Sequence, residues 1–451
     1  MESSTKNRGQ WSSKFGFVVS AAGSAVGLAN IWAFPFRTGQ NGGAAFVLIY
    51  LASTFLICLP FMFVEITLGR YSQKNVVGAI RAIQPKRVWI GLGILSLTAS
   101  IFILSFYSVV AGWSVGYIFK MLVGENSLLP VFAAKPEFVI PLFLLFLIFT
   151  ILVVQGGVKH GIERWSRVLM PFLIVLMLIL IIRSLTFPGA RTGLEFYLKP
   201  DFSKINGHVV MTAMGQAFFS LSLGIGGLLT YGSYLSKRDN IITSSVYIAL
   251  FDVVIALLAG FMIFPALFAF GQPPNEGPAL VFIILPKIFT QLPFGNIFGA
   301  SFFVMLTIAA LTSTISMLEI SVAYFVDERG WPRRHIVWLL GAVAFLLGLP
   351  SALSQGAVPY LSQLPFFGGK SYLELMIFLW FDVFPPVGAV LFSLFVAWVW
   401  GIDKAATELK NGCPFFDKKL PGLPFRNDQI WGFFIRYVCP VVIALVLLTA
   451  I

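Results

Sequence analysis

The chain is poor in what soluble proteins use to face water and in what enzymes use for chemistry. Only 11% of its 451 residues are charged, against about 25% in an ordinary soluble chain. Its three histidines, His160, His208 and His335, lie in or beside loops, with no His-x-x-x-His spacing. Its three cysteines, Cys58, Cys413 and Cys439, are scattered without paired spacing. These absences argue against a disulfide framework, a Cys/His metal site and a membrane-embedded enzyme. The longest extramembrane pieces, 188–206, 271–297 and 401–429, are too small to form separate domains. No cleavable signal peptide is expected, because Met1 to Gln10 is polar and the first apolar run continues into a full span.

Apolar sequence is what remains. Hydrophobic residues make up 58% of the chain and mean hydropathy is +0.89. Runs long enough to span a bilayer fall at 13–37, 44–70, 88–123, 137–155, 165–187, 207–234, 241–271, 298–326, 336–354, 371–400 and 430–450, which predicts an all-α integral membrane protein of eleven spans. The net charge of +12 reads as a positive cytoplasmic face and not as a nucleic-acid footprint. With a cytoplasmic N-terminus, roughly two-thirds of the Lys and Arg fall inside, in clusters such as Arg70/Lys74/Arg81/Lys86/Arg87. An odd number of spans then places Ile451 outside.

Two of these spans are irregular where a membrane helix should be most regular. In the first, Gly23-Ser24-Ala25-Val26-Gly27-Leu28-Ala29-Asn30 carries two glycines and two polar side chains, with Pro35 close behind. In the sixth, Gly215-Gln216-Ala217-Phe218-Phe219-Ser220-Leu221-Ser222-Leu223-Gly224-Ile225-Gly226 does the same. Broken backbone at membrane depth is tolerated only where it is buried or lines a cavity. One reading is a kinked helix packed through small residues; the other is coordination of an ion and a solute by the freed backbone groups. Five spans separate the two segments, so two five-helix halves insert in opposite orientations, and paired interruptions of this kind point to a transporter's binding site. Asp252 lies within the seventh apolar run, where a carboxylate needs a partner, most cheaply a cation. Thr312 and Ser313 in the eighth span either bond back to their own helix or supply oxygens to a hard cation such as sodium. Glu65 in the second span is placed to cap broken backbone, and Glu319 has no evident role.

With these residues assembled, the chain resembles the neurotransmitter:sodium symporter family, from Arg8 to about Trp400. The resemblance is carried by Gly23 to Phe36 followed by Asn41-Gly42-Gly43, by Glu65 with Gly69-Arg70-Tyr71, by Gly161-Ile162-Glu163-Arg164, by Gly215 to Gly226 and by Leu311-Thr312-Ser313. It implies an inverted repeat of five plus five helices, 1–187 and 188–400, with 401–451 adding an inner loop and an eleventh helix. It implies sodium-coupled uptake by alternating access in a bacterial inner membrane, with two sodium ions and no organic cofactor. A monomer suffices for that mechanism and a homodimer is compatible with it. One sodium site would take the carbonyls of Gly23, Val26 and Ala309 with the Thr312 and Ser313 hydroxyls. The other would take the Ala25 carbonyl, Asn30, Ser220, Asp252 and the substrate carboxylate. Ala256, one turn after Asp252, stands where many bacterial relatives have Glu and eukaryotic ones Ser, so Asp252 is expected to supply the fixed negative charge and make chloride dispensable.

The same resemblance places the substrate among Ser24, Ala25, Gly27, Ile103, Tyr107, Phe219, Ser220, Ser222, Ile225, Ser313 and Met317. Gly27, where monoamine transporters carry Asp, points to an amino acid, and the apolar lining to a neutral hydrophobic or aromatic one. Taurine, GABA or a betaine is the rival substrate class, and a non-transporting amino-acid sensor the rival function. The family's charged outer gate is replaced, by this alignment, with Ala33 and Ile377, finished by Gln216 and Phe219. The inner gate would pair Arg8 with Asp327, braced by Ser233 and the Tyr234 hydroxyl.

Overall fold

The computed structural model describes residues 9–125, 129–274, 280–413, 415–419 and 424–450. The elements that position the site are α1 (Lys14–Ala25), α2 (Ala29–Gln40), α3 (Ala44–Ser72), α4 (Arg87–Val123), α5 (Pro136–Gln155), α6 (Val158–Leu185), α7 (Gly207–Ser220), α8 (Gly227–Gly232), α9 (Ile241–Ala269), α10 (Gly295–Arg329), α11 (Arg333–Leu353), α12 (Tyr372–Lys410) and α13 (Asn427–Thr449). Among the described residues nine helices are long and apolar enough to cross a membrane, and ten if α1 and α2, bent by 54°, count as one span. The sixth apolar run, expected as a single span, is the two short helices α7 and α8. That difference accounts for the eleventh.

Both breaks have local causes. After Ala25 the chain turns extended at Val26 (ψ 111°), and the Asn30 amide donates to the Gly27 carbonyl at 3.2 Å before helix resumes. Between α7 and α8, Ser222, Gly224 and Gly226 adopt φ of 51°, 88° and 80°, a run of left-handed conformations that no helix contains. The Glu65 carboxylate of α3 accepts from the freed Gly224 amide at 2.6 Å. The sequence suggested such a capping role, because an unmet amide in lipid is costly.

The long helices α4 and α10 pack side by side, with α1 against α10 and α9 against α1, and the two breaks meet where Ser222 Oγ reaches the Ser24 carbonyl. Large apolar side chains such as Leu56, Phe149, Val168, Ile182, Leu346 and Trp398 face outward. In water they would be an aggregation liability; against lipid they belong there. Between α9 and α10 the short helical stretch Leu280–Thr290 packs into the bundle, burying Phe282 against Trp32, Trp113, Tyr117 and Phe303.

Candidate functional site

The first break and α10 bring one group of neutral oxygens together. The Thr312 hydroxyl lies 3.0 Å from the Ala309 carbonyl and 3.4 Å from that of Val26. The Ser313 hydroxyl lies 3.3 Å from the carbonyls of both Ser24 and Val26 and 3.4 Å from that of Ala309. The hydroxyls therefore face their own helix and the opened turn of α1 at once. Gly23 backs the cluster: a Cβ there would sit 3.3 Å from Thr312 Cβ. Uncharged oxygens from hydroxyl and carbonyl suit a hard monovalent cation and would not select a transition metal.

A second group centres on Asp252, fully buried on α9. Asn30 Nδ2 donates to its Oδ1 at 2.7 Å, and the Ser220 hydroxyl donates to Oδ2 at 2.6 Å. Asn30 Nδ2 also reaches Ser220 Oγ at 2.8 Å, and Asn30 Oδ1 accepts from the Gly27 amide at 3.1 Å. The Tyr50 hydroxyl adds a longer donation to Oδ2 at 3.3 Å. Tyr50 was not expected; nothing local in the α3 run distinguishes it. Ala25, at the last turn of α1, is buried at the same break.

Between the two groups lie the residues proposed to meet the solute. The Tyr107 hydroxyl accepts from the Leu28 amide at 2.9 Å. A Cβ on Gly27 would lie 2.6 Å from Ser313 Oγ and 2.7 Å from Tyr107 Oη, so this position admits no side chain without displacement. Ile103, Ile225 and Met317 are buried on α4, the α7–α8 break and α10. The Ser24 hydroxyl donates to Ser316 Oγ at 2.6 Å, joining α1 to α10. Ser222 Oγ reaches the Ser24 carbonyl at 3.5 Å.

Outward of this lies a cavity of about 340 Å³ lined by Phe219, Phe381, Arg37, Asp382 and His208 among others. The Phe219 and Phe381 rings meet edge to face at its floor. Arg37 stands 5.6 Å over the Phe219 ring, and Arg37 and Asp382 line the same cavity. The lining includes Arg37 and Asp382 and neither Ala33 nor Ile377, the pair expected as the outer gate. Arg37 follows Ala33 by four residues, which puts it on the same helix face one turn outward. Asp382 lies in the wide π-helical turn Phe378–Val383, which re-aims side chains relative to a regular helical count. Gln216 was also expected in the outer lid. It is fully buried, and its Nε2 donates to the Ala29 carbonyl at 3.2 Å.

Similarity to known proteins follows this geometry. The profile described as the sodium:neurotransmitter symporter family matches residues 8–130 and 133–451. The chain belongs to that family. It is 40% identical to the sodium-dependent transporter YhdH of Bacillus subtilis, over 98% of this chain and 97% of that protein. It is 27% identical to rat sodium- and chloride-dependent GABA transporter 2, over 97% of this chain and 80% of that one. Among solved structures, the crystal structure of MhsT in complex with L-phenylalanine superposes with a TM-score of 0.87 at 40% identity, covering 99% of this chain and all of that one. The protein is therefore a sodium-dependent symporter of the neurotransmitter:sodium symporter fold, and not an enzyme.

On the inner side of this symporter, Arg8 lies outside the described residues. Asp327 has the Asn75 amide 3.4 Å from its carboxylate. The Tyr234 hydroxyl, expected to brace an Arg8–Asp327 pair, donates to Glu319 Oε1 at 2.7 Å, and Glu319 is ion-paired with Arg333. Glu319, unassigned from sequence, thus joins α8, α10 and α11. Ser233, at the end of α8, donates to the Thr230 carbonyl at 2.6 Å. Trp11 adds its indole N–H to the Tyr231 carbonyl at 2.9 Å.

Proposed function

We propose that this symporter takes up neutral hydrophobic or aromatic L-amino acids with two sodium ions and without chloride. The observation that carries the reading is the Tyr107 hydroxyl at the Leu28 amide, a pair that suits a carboxylate, on a turn whose Gly27 and Asn30 lead to the buried Asp252; Ile103, Ile225 and Met317 are read as the apolar lining of the same pocket. A charged side chain in that apolar lining would go unpaired at a cost of roughly several kcal/mol. The MhsT crystal structure, with phenylalanine, supports the same class. The GABA transporters among the relatives favour the rival, a non-α-amino solute. A competition panel of the twenty amino acids with GABA, taurine and betaine, each with and without sodium, decides between them. Displacement by GABA but not by phenylalanine or leucine would reject the reading, and sodium-dependent binding without proteoliposome uptake would leave a sensor.

In this reading Val26, Ala309, Thr312 and Ser313 hold one sodium, with Gly23. Ala25, Asn30, Ser220 and Asp252 hold the other, next to the substrate carboxylate, so that each ligand strengthens the other. Two ions moving down 100 mV supply about 4.6 kcal/mol, at roughly 2.3 per charge. The chain would sit in a bacterial inner membrane with its N-terminus inside and its repeats meeting near residue 188. Thr312→Ala with Ser313→Ala removes two of the first site's oxygens. Sodium affinity should fall at least about tenfold, some 1.4 kcal/mol, measured by sodium titration of substrate binding; an unchanged affinity rejects that site. Arg37 and Asp382 close the outer cavity over Phe219. Asp382→Asn should lower the uptake rate severalfold and quicken labelling of a cysteine placed at Thr212 on the cavity wall. Equal labelling in both proteins would remove the pair from the gate.

A further inference from the structure

Helix α6 begins after Gly156 and Gly157 with a wide π-helical turn, Val158–Glu163. Glu163 closes that turn almost wholly buried, 1% exposed, yet it touches neither cation cluster nor the solute pocket. Its carboxylate faces the start of α1 instead. Oε2 accepts from the Ser12 amide at 2.8 Å and Oε1 from the Ser12 hydroxyl at 2.5 Å. Arg167, one turn further along α6, is ion-paired with Glu163 and donates to the Ser12 and Ser13 hydroxyls at 2.9 and 2.7 Å. Ser13 is itself the N-cap of α1, accepting from the Gly16 amide at 3.0 Å. Gly16 lies flat on the carboxylate: a Cβ there would fall 1.8 Å from Glu163 Oε1.

The geometry points to Glu163 and Arg167 as a latch that docks the start of α1 onto α6, and whose release sets the rate at which the cytoplasmic side opens. The latch is distinct from the Trp11 contacts with α8, which hold the same segment from its other side. A buried carboxylate cannot lose its donors to a dry gap. Ser12 and Gly16 therefore stay seated on it, or α1 moves off and water takes their place, and the arrangement has two states with little between. Charge-assisted bonds make the seated state the stronger. Glu163 is a positioning residue: it acts on transport through α1.

The test is hydrogen–deuterium exchange on the full-length protein in lipid, in sodium, a readout that needs no knowledge of the substrate and so fails independently of the substrate reading. Glu163→Gln keeps shape and removes charge. It should speed exchange across Lys14–Ala25 about tenfold while leaving the middle of α4 unchanged, and Glu163→Asp should recover part of the protection. Ser12→Ala, a milder change, should speed the same peptide about threefold, and combining it with Glu163→Gln should add nothing, because partners of one bond are not additive. Unchanged exchange in α1, or additive effects of the two substitutions, would overturn the latch. A uniform rise across all helices would do the same, by showing loss of the fold instead.

Discussion

Asp252→Asn should abolish chloride-free uptake, and addition of chloride should restore part of it. The carboxylate is buried with Asn30, Ser220 and Tyr50 all turned toward it, and Ala256 one turn later offers no second acid. Two sodium ions brought to this depth with a zwitterionic solute leave two uncompensated charges, and a fixed anion offsets one of them. An unpaired ion in such a place costs roughly several kcal/mol even after relaxation. Removing the anion alone should therefore weaken sodium binding by at least two orders of magnitude, about 2.7 kcal/mol at 1.4 per factor of ten. The neutral amide keeps one oxygen to accept from Asn30, and the Ser220 and Tyr50 hydroxyls can rotate to accept from its nitrogen, so shape is conserved and the loss reports charge. Radiolabelled uptake in chloride and in gluconate measures it. Full activity of the variant in gluconate would show that the compensating charge lies elsewhere.

How much of this site was legible in the chain depended on whether its signal was local. The breaks at Gly23–Asn30 and Leu221–Gly226 announce themselves, because glycine, serine and asparagine have no reason to cluster inside a lipid-embedded helix. Asp252 is legible for the same reason. Tyr50 and Phe381 are not, since one aromatic in an apolar run looks like any other until a neighbouring helix is set beside it. The outer charges were missed for a geometric cause. Arg37 lies one turn beyond Ala33 on the same helix face, and Asp382 reaches the cavity from a π-helical turn that no count along the sequence anticipates. The Glu319–Arg333 pair and the seat of Ser12 on Glu163 join distant segments: each carboxylate was visible, and its partner was not.

Gly27→Ala should damage transport severely for a change of one methyl group. The added carbon would arrive 2.6 Å from the Ser313 hydroxyl and 2.7 Å from the Tyr107 hydroxyl, inside the closest approach that real side chains make. Neither neighbour is free to yield. Ser313 faces the carbonyls of Ser24, Val26 and Ala309, and Tyr107 holds the Leu28 amide. Relief must come from moving the opened turn of α1, which carries Val26 of one cation cluster and leads into Asn30 of the other. Overpacking of this kind costs about 1–3 kcal/mol in a well-packed interior. Here the displacement falls on both proposed ion sites and on the seat of the carboxylate, so uptake should drop more than about a hundredfold, roughly 2.7 kcal/mol of lost binding. Ser313→Gly in the same chain removes the nearer of the two obstacles and should return part of the fold stability but little of the transport, because it also removes a cation oxygen. Thermal unfolding and uptake measured on the single and double variants separate these effects. If Gly27→Ala transports normally, the turn is looser than its contacts imply, and the carboxylate is held somewhere other than between the Leu28 amide and Tyr107.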